Sequence, residues 1–374
     1  MDEVSLQTIL QRHLADYTQR HRLDGQRLKV CRHLLACHTP VLGGLQMHCN
    51  HCDHHPVFYH GCRDRHCPQC QHRASRRWQQ QQQQAVLPVP YYHLVFTLPH
   101  DLNGWAQLHP KVIYALLFRC AWQTLKAFAA DPKRLGGQLG MTAVLHTWGR
   151  NLSQHVHLHC LVPGGALSEG SQWHTAKSNY LFPVKALSRH FRGNMVSALR
   201  QACQADQLHR IEAASVDPML NALMSQDWVV YSKPCLQRTD SVIGYLARYS
   251  HRIAISDQRL QRLDDHGVTF RYRDTRTQRD STLTLGITEF IRRFLMHVLP
   301  GGFMRIRHYG YLANRCRQKA LQTIRALLAA PLADISSQGE GSLETTYPCP
   351  ACRQGLLQVI ERILPEPFIP PQPG

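Results

Sequence analysis

Apolar and polar positions alternate with two different periods along this chain. The run YYHLVFTLP at 91–99 is rich in aromatic and β-branched residues and is bounded by prolines, which predicts a strand. Two more apolar runs, MTAVLHTWG at 141–149 and HVHLHCLVPGG at 155–165, are joined by the polar RNLSQ, and a hairpin is the simplest geometry for them. Between the first run and this pair, residues 108–130 carry Val112, Leu116, Leu117, Leu125 and Phe128 at helical spacing, so one helix with that stripe inward is expected. Helices are also expected over 188–210 and 216–226, followed by a short strand, WVVYSKP, at 228–234. Residues 1–30 are polar with a helical period, and no internal repeat stands out.

Three histidines interrupt the third strand at intervals of two. Side chains alternate across a strand, so His155, His157 and His159 share one face, and the hairpin brings His146 of the preceding strand near them. Imidazole is a common metal ligand. A polar wet side of a half-buried strand is the plainer explanation, and the pattern alone leaves both open.

Composition narrows the class. A chain of 374 residues has room for two or three domains and a sizeable core. No apolar run approaches the roughly eighteen residues of a membrane span, and MDEVSLQTILQRH does not resemble a secretory signal, so a soluble intracellular protein is expected. Lys and Arg number 43 against 25 Asp and Glu, a formal charge of +18, which points to a polyanionic partner. Nucleic acid comes ahead of a membrane surface, since no basic amphipathic helix stands out.

Seven of the 14 cysteines fall between 31 and 70, and zinc explains them better than disulfides in an intracellular chain. CNHC at 49–52 and CPQC at 67–70 form two Cys-x-x-Cys knuckles, which predicts one tetrahedral site from Cys49, Cys52, Cys67 and Cys70. Cys31, Cys37, His38, His60, Cys62 and His66 supply candidates for a second site. Arg63, Arg65, Arg73, Arg76 and Arg77 of this module are candidates for phosphate contacts. CPAC at 349–352 lacks a second pair nearby and is weak evidence for zinc, and PEPFIPPQPG at the end predicts a disordered tail.

IGYLARYSHRIA at 243–254 places Tyr245 and Tyr249 four residues apart, on one face if helical, among Arg248, His251 and Arg252. Two tyrosines packing half-buried on a core helix would be the plainer explanation of an isolated pair, but a core face rarely carries so much charge, and a positioned phenol can act as a covalent nucleophile. The basic, aromatic MRIRHYGYLANRCRQK at 304–319 reads either as a DNA grip, with Arg305 and Arg307, or as a solvated helical face.

A His-hydrophobe-His strand followed by a Tyr-x-x-x-Tyr helix resembles the HUH single-strand endonucleases. The layout as a whole is similar to the two-tyrosine rolling-circle transposases of the insertion sequence 91 family. Its marks are ACHTPVLGG at 36–44, CRDRHCPQCQ at 62–71, HLHCLVPGG at 157–165, YLARYSHRIAIS at 245–256 and HVLPGGFMRIRHYG at 297–310. The resemblance implies an α+β fold, with a central antiparallel sheet carrying the metal strand and packed helices, preceded by a small zinc-binding module. It implies His157 and His159 as the metal pair, His146 as third ligand with His155 as fallback, and Tyr245 and Tyr249 as nucleophiles. The implied cofactors are Mg²⁺ or Mn²⁺ at the histidines and structural Zn²⁺ at Cys49, Cys52, Cys67 and Cys70, with Cys37, Cys62 and His66 as further candidates. The implied partner is single-stranded DNA at element ends and target, gripped by Arg63, Arg65, Arg248, Arg252, Arg305 and Arg307. Residues 1–85 are expected as the zinc module, 86–260 as the nuclease and 261–374 as a basic C-terminal region. No membrane partner is expected, the location is the bacterial cytoplasm and nucleoid, and homo-oligomerisation is left open. A plasmid relaxase or replication initiator, and a non-catalytic zinc-dependent regulator, are the competing readings.

Overall fold

The computed structural model describes residues 4–71, 86–170, 172–176, 181–235, 253–274, 277–329 and 347–372. The chain forms two compact units: Met1–Ala74 with Ile253–Val298 and Asp334–Gly374, and Ser75–Arg252 with Leu299–Ala333. Each unit joins segments far apart in sequence, which differs from the three consecutive stretches expected above. The reason lies in β-pairing, which reaches across the chain in both units.

In the first unit, helix α1 (Leu6–Arg20) starts at Ser5, whose hydroxyl accepts from the Thr8 N–H, and helix α2 (Gly25–Ala36) starts at Asp24, whose carboxylate accepts from the Arg27 N–H. Both bury one stripe, Leu6, Ile9, Leu10, Leu14 and Tyr17 on α1 and Val30, Cys31, Leu34 and Leu35 on α2. Strand β1 (Gly44–Cys49) pairs antiparallel with β2 (Val57–Tyr59) on one side. On its other side lies β14 (Leu356–Ile363), which also pairs with the short β13 (Tyr347–Pro348). A meander of β9 (Leu260–Asp264), β10 (Gly267–Arg273) and β11 (Asp280–Leu285) leads into helix α7 (Ile287–Met296), with Phe270 set against Phe290. The tail expected to be disordered is described as far as residue 372, and the Glu366 N–H donates to the Pro40 carbonyl.

The second unit is built on a five-stranded antiparallel sheet in the order β12-β4-β5-β3-β8. Its strands are β3 (Tyr91–Thr97), β4 (Gly140–Trp148), β5 (Gln154–Pro163), β8 (Val230–Cys235) and β12 (Ile306–Gly310). A separate two-stranded ribbon joins β6 (Gly165–Leu167) to β7 (Trp173–Thr175). The 141–149 and 155–165 runs do form the expected hairpin. By contrast, the stretch weighed as a helical face at 304–319 enters the sheet as β12, beside β4, before helix α8 (Arg317–Leu327) begins.

One face of this sheet is covered by helices. Leu94, Phe96, Met141, Ala143, Leu145, Val156, Leu158, Cys160 and Val162 are buried in one core with residues of α4 (Pro110–Ala130) and α5 (Val184–Gln204). The Phe96 and Phe191 rings meet edge to face at 4.9 Å. Each such buried side chain contributes about 1.5–3 kcal/mol by leaving water. The short α3 (Asn103–Leu108) and α6 (Ala213–Ser225) extend the same core through Trp105, Leu220 and Leu223. On the opposite face, Tyr91 and Leu161 pack with Tyr311, Leu321 and Ile324 around α8 at one end. At the other end the face carries His155, His157 and His159, all half-buried.

Gly310 ends β12 with φ of +61°, and a Cβ there would run into the Leu139 carbonyl oxygen. Gly310→Ala is therefore expected to lower stability by more than about 2 kcal/mol, from left-handed strain plus the backbone collision. Gly104→Ala, on the exposed side of α3 with nothing within 4 Å of the new methyl, should instead be neutral or stabilise by up to about 1 kcal/mol. Urea unfolding midpoints of the two variants test this contrast.

Candidate active site and metal centres

The pleat of β5 explains how one strand serves both a core and a site. Val156, Leu158 and Cys160 point into the helical core, so His155, His157 and His159 must point the other way. Register then adds the neighbours. His146 on β4 lies directly opposite His157, and Val144 lies opposite His159. The ligand nitrogens of His146, His157 and His159 come within 4.8 Å of one another. His155 lies on the same face but outside that cluster, with its ring set against His100.

Hydrogen bonds fix how two of these rings are presented. His157 Nδ1–H donates to the His155 carbonyl at 2.8 Å, which leaves Nε2 as its lone-pair nitrogen. His159 Nδ1 lies 2.8 Å from Nε2 of His93, a residue of β3 on the same face. Burial, helped by the nearby Lys233 charge, pushes the pKa of His93 down to about 4, so this imidazole stays neutral and can accept from His159. Metal-ligating histidines commonly carry such an outer partner on the second ring nitrogen. His146 is held differently: its ring stacks on Trp148 at 4.7 Å, and the Arg305 guanidinium lies over Trp148 at 5.7 Å. Three imidazole donors, two of them turned with Nε2 available, suit a divalent ion.

His93 and Trp148 were not singled out from sequence. The available signal for His93 was a lone polar residue within an apolar strand, which becomes informative only once β3 is known to lie beside β5. Tyr231 of β8 stands on the histidine face, half-exposed and edge-on to His93 at 6.5 Å. Tyr309 faces the opposite way and stacks on Trp122 of α4 at 5.3 Å. Tyr245, Tyr249, Arg248 and Arg252 lie outside the described residues, as do His251, Arg73, Arg76 and Arg77. Arg305 is largely buried against the Trp148 ring, whereas Arg307 packs over Phe118 and Phe303 on the helical side. There Arg307 lines a groove of about 450 Å³ with Lys111 and Arg119.

The cysteines form two clusters, and their membership differs from the expected one. Cys49 and Cys52 do not join Cys67 and Cys70. The first cluster is Cys37, Cys62, Cys67 and Cys70, and the second is Cys49, Cys52, Cys349 and Cys352. In the first, Cys37 ends α2, Cys62 and Cys67 lie on the loop after β2 and Cys70 lies in the helical stretch that begins at residue 68, with Sγ···Sγ separations of 3.5 to 3.7 Å. Four thiolates around zinc at about 2.3 Å would stand about 3.8 Å apart, so the spacing fits one tetrahedral ion. Hydrogen bonds from Cys37, Cys62 and Cys67 hold the Cys70 thiol far below its usual range. Backbone N–H groups of Cys62, Asp64 and Arg63 also point at the sulfurs of Cys37, Cys62 and Cys70.

The other sequence candidates are occupied elsewhere. His66 is not in the thiol cluster; its Nδ1 bonds Asp64 at 2.8 Å, and the same carboxylate takes His33 of α2 at 2.9 Å. Burial alone would raise the Asp64 pKa, but the His66 and His33 bonds outweigh it and hold the carboxyl well below the usual range. Cys31 is a core residue whose thiol is pushed up to about 12 by burial, and His38 bonds Gln69. Arg63 is exposed beside the cluster, and Arg65 is half-buried.

Comparison with known proteins identifies the family. The family model described as a transposase zinc-binding domain matches residues 9–98, and one described as a putative transposase matches residues 140–320. The chain is 39% identical over 373 residues to the putative transposase y4qJ of Sinorhizobium fredii, covering 94% of each chain. It is 32% identical over 318 residues to the transposase for insertion sequence element IS801 of Pseudomonas savastanoi pv. phaseolicola, covering 79% of this chain and 73% of that one. Among the described residues no helix is long and apolar enough to cross a membrane. With a thiol-rich N-terminal module and a histidine-bearing antiparallel sheet in place, the chain belongs to the insertion sequence 91 family of transposases that carry an N-terminal zinc-binding domain.

Proposed function

We propose that this transposase nicks and rejoins single-stranded DNA at the histidine face of its five-stranded sheet, by tyrosine attack, in rolling-circle transposition. The observation that carries the reading is the convergence of His146, His157 and His159 within 4.8 Å on a sheet face whose reverse is sealed by the core. A divalent cation held there, Mg²⁺ or Mn²⁺ by availability in the cell, would polarise the scissile phosphate as a Lewis acid.

The protein's own part is positioning. His157 and His159 are aimed by the His155 carbonyl and by His93, and His146 by its stack on Trp148 and Arg305. Tyr245 or Tyr249 supplies the phenol oxygen that attacks phosphorus. The bond to the 3′ oxygen breaks, leaving a 5′-phosphotyrosine link and a free 3′-hydroxyl. The ester link is conserved, so no nucleotide cofactor is needed, and a second tyrosine can hold one DNA end while another is cut. The net charge of +18 supplies general phosphate attraction, with Arg63 an exposed contact in the zinc module. Zinc at Cys37, Cys62, Cys67 and Cys70 would be structural, since four thiolates leave no open position. The enzyme would work on bacterial DNA in the cytoplasm at the nucleoid. Relatives named as transposases favour this reading over a relaxase or replication initiator.

His157→Ala or His159→Ala is expected to abolish cleavage of a labelled single-stranded element end while DNA binding in a gel-shift assay stays largely intact. His155→Ala should be milder. Near wild-type cutting by either of the first two variants with Mg²⁺ or Mn²⁺ would remove the metal assignment.

His93→Ala should keep the fold but weaken Mn²⁺ binding by roughly 10- to 100-fold, the usual effect of losing an outer partner of a ligand histidine. Calorimetric titration with Mn²⁺ measures this directly.

The Tyr245→Phe, Tyr249→Phe double variant should fold normally and form no covalent DNA adduct on denaturing gels. Persistence of the adduct would move the nucleophile elsewhere, with Tyr231 the first residue to test because it stands on the histidine face. A wild-type protein that binds element ends and never forms an adduct would favour the non-catalytic regulator.

A further inference from the structure

We propose that Cys49, Cys52, Cys349 and Cys352 form a second, independent zinc site that clasps the C-terminal hairpin β13–β14 to the N-terminal hairpin β1–β2. Cys349 and Cys352 lie beyond both matched regions, which end at residues 98 and 320, and 303 positions separate Cys49 from Cys352.

Geometry carries the inference. Cys49 and Cys352 Sγ lie 3.7 Å apart, and Cys52 and Cys349 Sγ lie 3.8 Å apart. A disulfide needs about 2.05 Å, whereas thiolates at the corners of a zinc tetrahedron stand about 3.8 Å apart. Each pair sits at a hairpin tip in a similar knuckle. The His51 N–H points at Cys49 Sγ at 3.4 Å, and the Gly355 N–H points at Cys352 Sγ at 3.3 Å. Such N–H groups stabilise negative charge on sulfur, which the neutral thiols of an ordinary core do not require. Close approach is built into the backbone as well, because a Cβ at Gly355 would strike Cys49 Sγ and His51 Cβ. The two tips are stitched by reciprocal bonds between Asn50 and Leu356. The Asn50 side-chain oxygen accepts from the Leu356 N–H at 2.8 Å, and the Leu356 carbonyl accepts from the Asn50 N–H at 3.1 Å.

The small sheet also has little apolar core among the described residues. Its fully buried apolar cluster consists of Met47, Cys49, Cys349 and Leu357, two of which are the ligands themselves. Val359 and Ile360 of β14 are half-exposed. A hairpin with so little core gains its folding free energy from the metal. Thiolates are soft ligands, so zinc rather than Mg²⁺ or Ca²⁺ is the ion this donor set takes.

The test counts ions in the full-length protein purified without chelator. It uses a His157→Ala, His159→Ala background so that zinc on the histidine face does not enter the count. Native mass spectrometry and elemental analysis should find about two zinc ions per chain. Adding Cys349→Ser with Cys352→Ser, or Cys37→Ser with Cys62→Ser, should each lower the count to about one. In cobalt-substituted protein, the Cys349→Ser, Cys352→Ser change should remove about half of the thiolate-to-cobalt absorption. An unchanged count or unchanged absorption in that variant overturns the proposal. Should the variant fail to fold, the count in the cysteine-intact background decides, since one zinc or fewer overturns the proposal equally. None of these readouts involves DNA cleavage, so this proposal and the nicking mechanism stand or fall separately.

Discussion

The pleat of β5 is the constraint on which the second unit depends. In an extended strand neighbouring side chains cannot share a face, so burying Val156, Leu158 and Cys160 obliges His155, His157 and His159 to leave the core together. A slip of one residue would drive imidazoles among phenylalanines and expose the aliphatic set, a change of many kcal/mol when each buried side chain contributes about 1.5–3 kcal/mol. The rigidity of the histidine face is thus supplied by the packing of its reverse side. Antiparallel neighbours β3 and β4 inherit the same register, and that is how His146 and His93 arrive beside His157 and His159.

The rest of the site grades from donors to supports. His146, His157 and His159 converge, while the His155 carbonyl, His93, Trp148 and Arg305 hold rings in place without joining the cluster. Neutrality matters here: a protonated His93 could not accept a hydrogen bond from His159. Burial disfavours that form, which is the physical meaning of its lowered pKa. Arg305 precedes β12 whereas Arg307 lies within it, so the strand's alternation governs only the second. Two positions apart in sequence, they lie on different surroundings, one over Trp148 and the other over Phe118.

The first unit solves a different problem. Its helices bury apolar stripes, but its small sheet and loops bury little apolar area, and there order comes from two thiol clusters, from the Asp64 clamp on His33 and His66, and from the return of β14 onto β1. The clusters interleave in sequence. Cys37 and Cys62 flank the Cys49–Cys52 knuckle, so nearest-neighbour pairing of knuckles misassigns the ligands.

Residue pattern alone determined the elements whose signal is local. The 141–149 and 155–165 hairpin, the long helix after the first strand and the common face of three histidines all follow from periodicity, because chain geometry repeats every two or 3.6 residues. Cys-x-x-Cys likewise announces a knuckle wherever it occurs, and the resemblance to transposases rests on such short marks. Tertiary structure decided everything that depends on which segments meet. It placed His146 rather than His155 within reach of both His157 and His159, brought in His93, made a strand of Ile306–Gly310, and brought CNHC beside CPAC across nearly the whole chain. These outcomes are set by strand pairing between distant residues. The energy of such a pair lies in hydrogen bonds and burial that do not exist until both strands are in place, so no window along the sequence contains it.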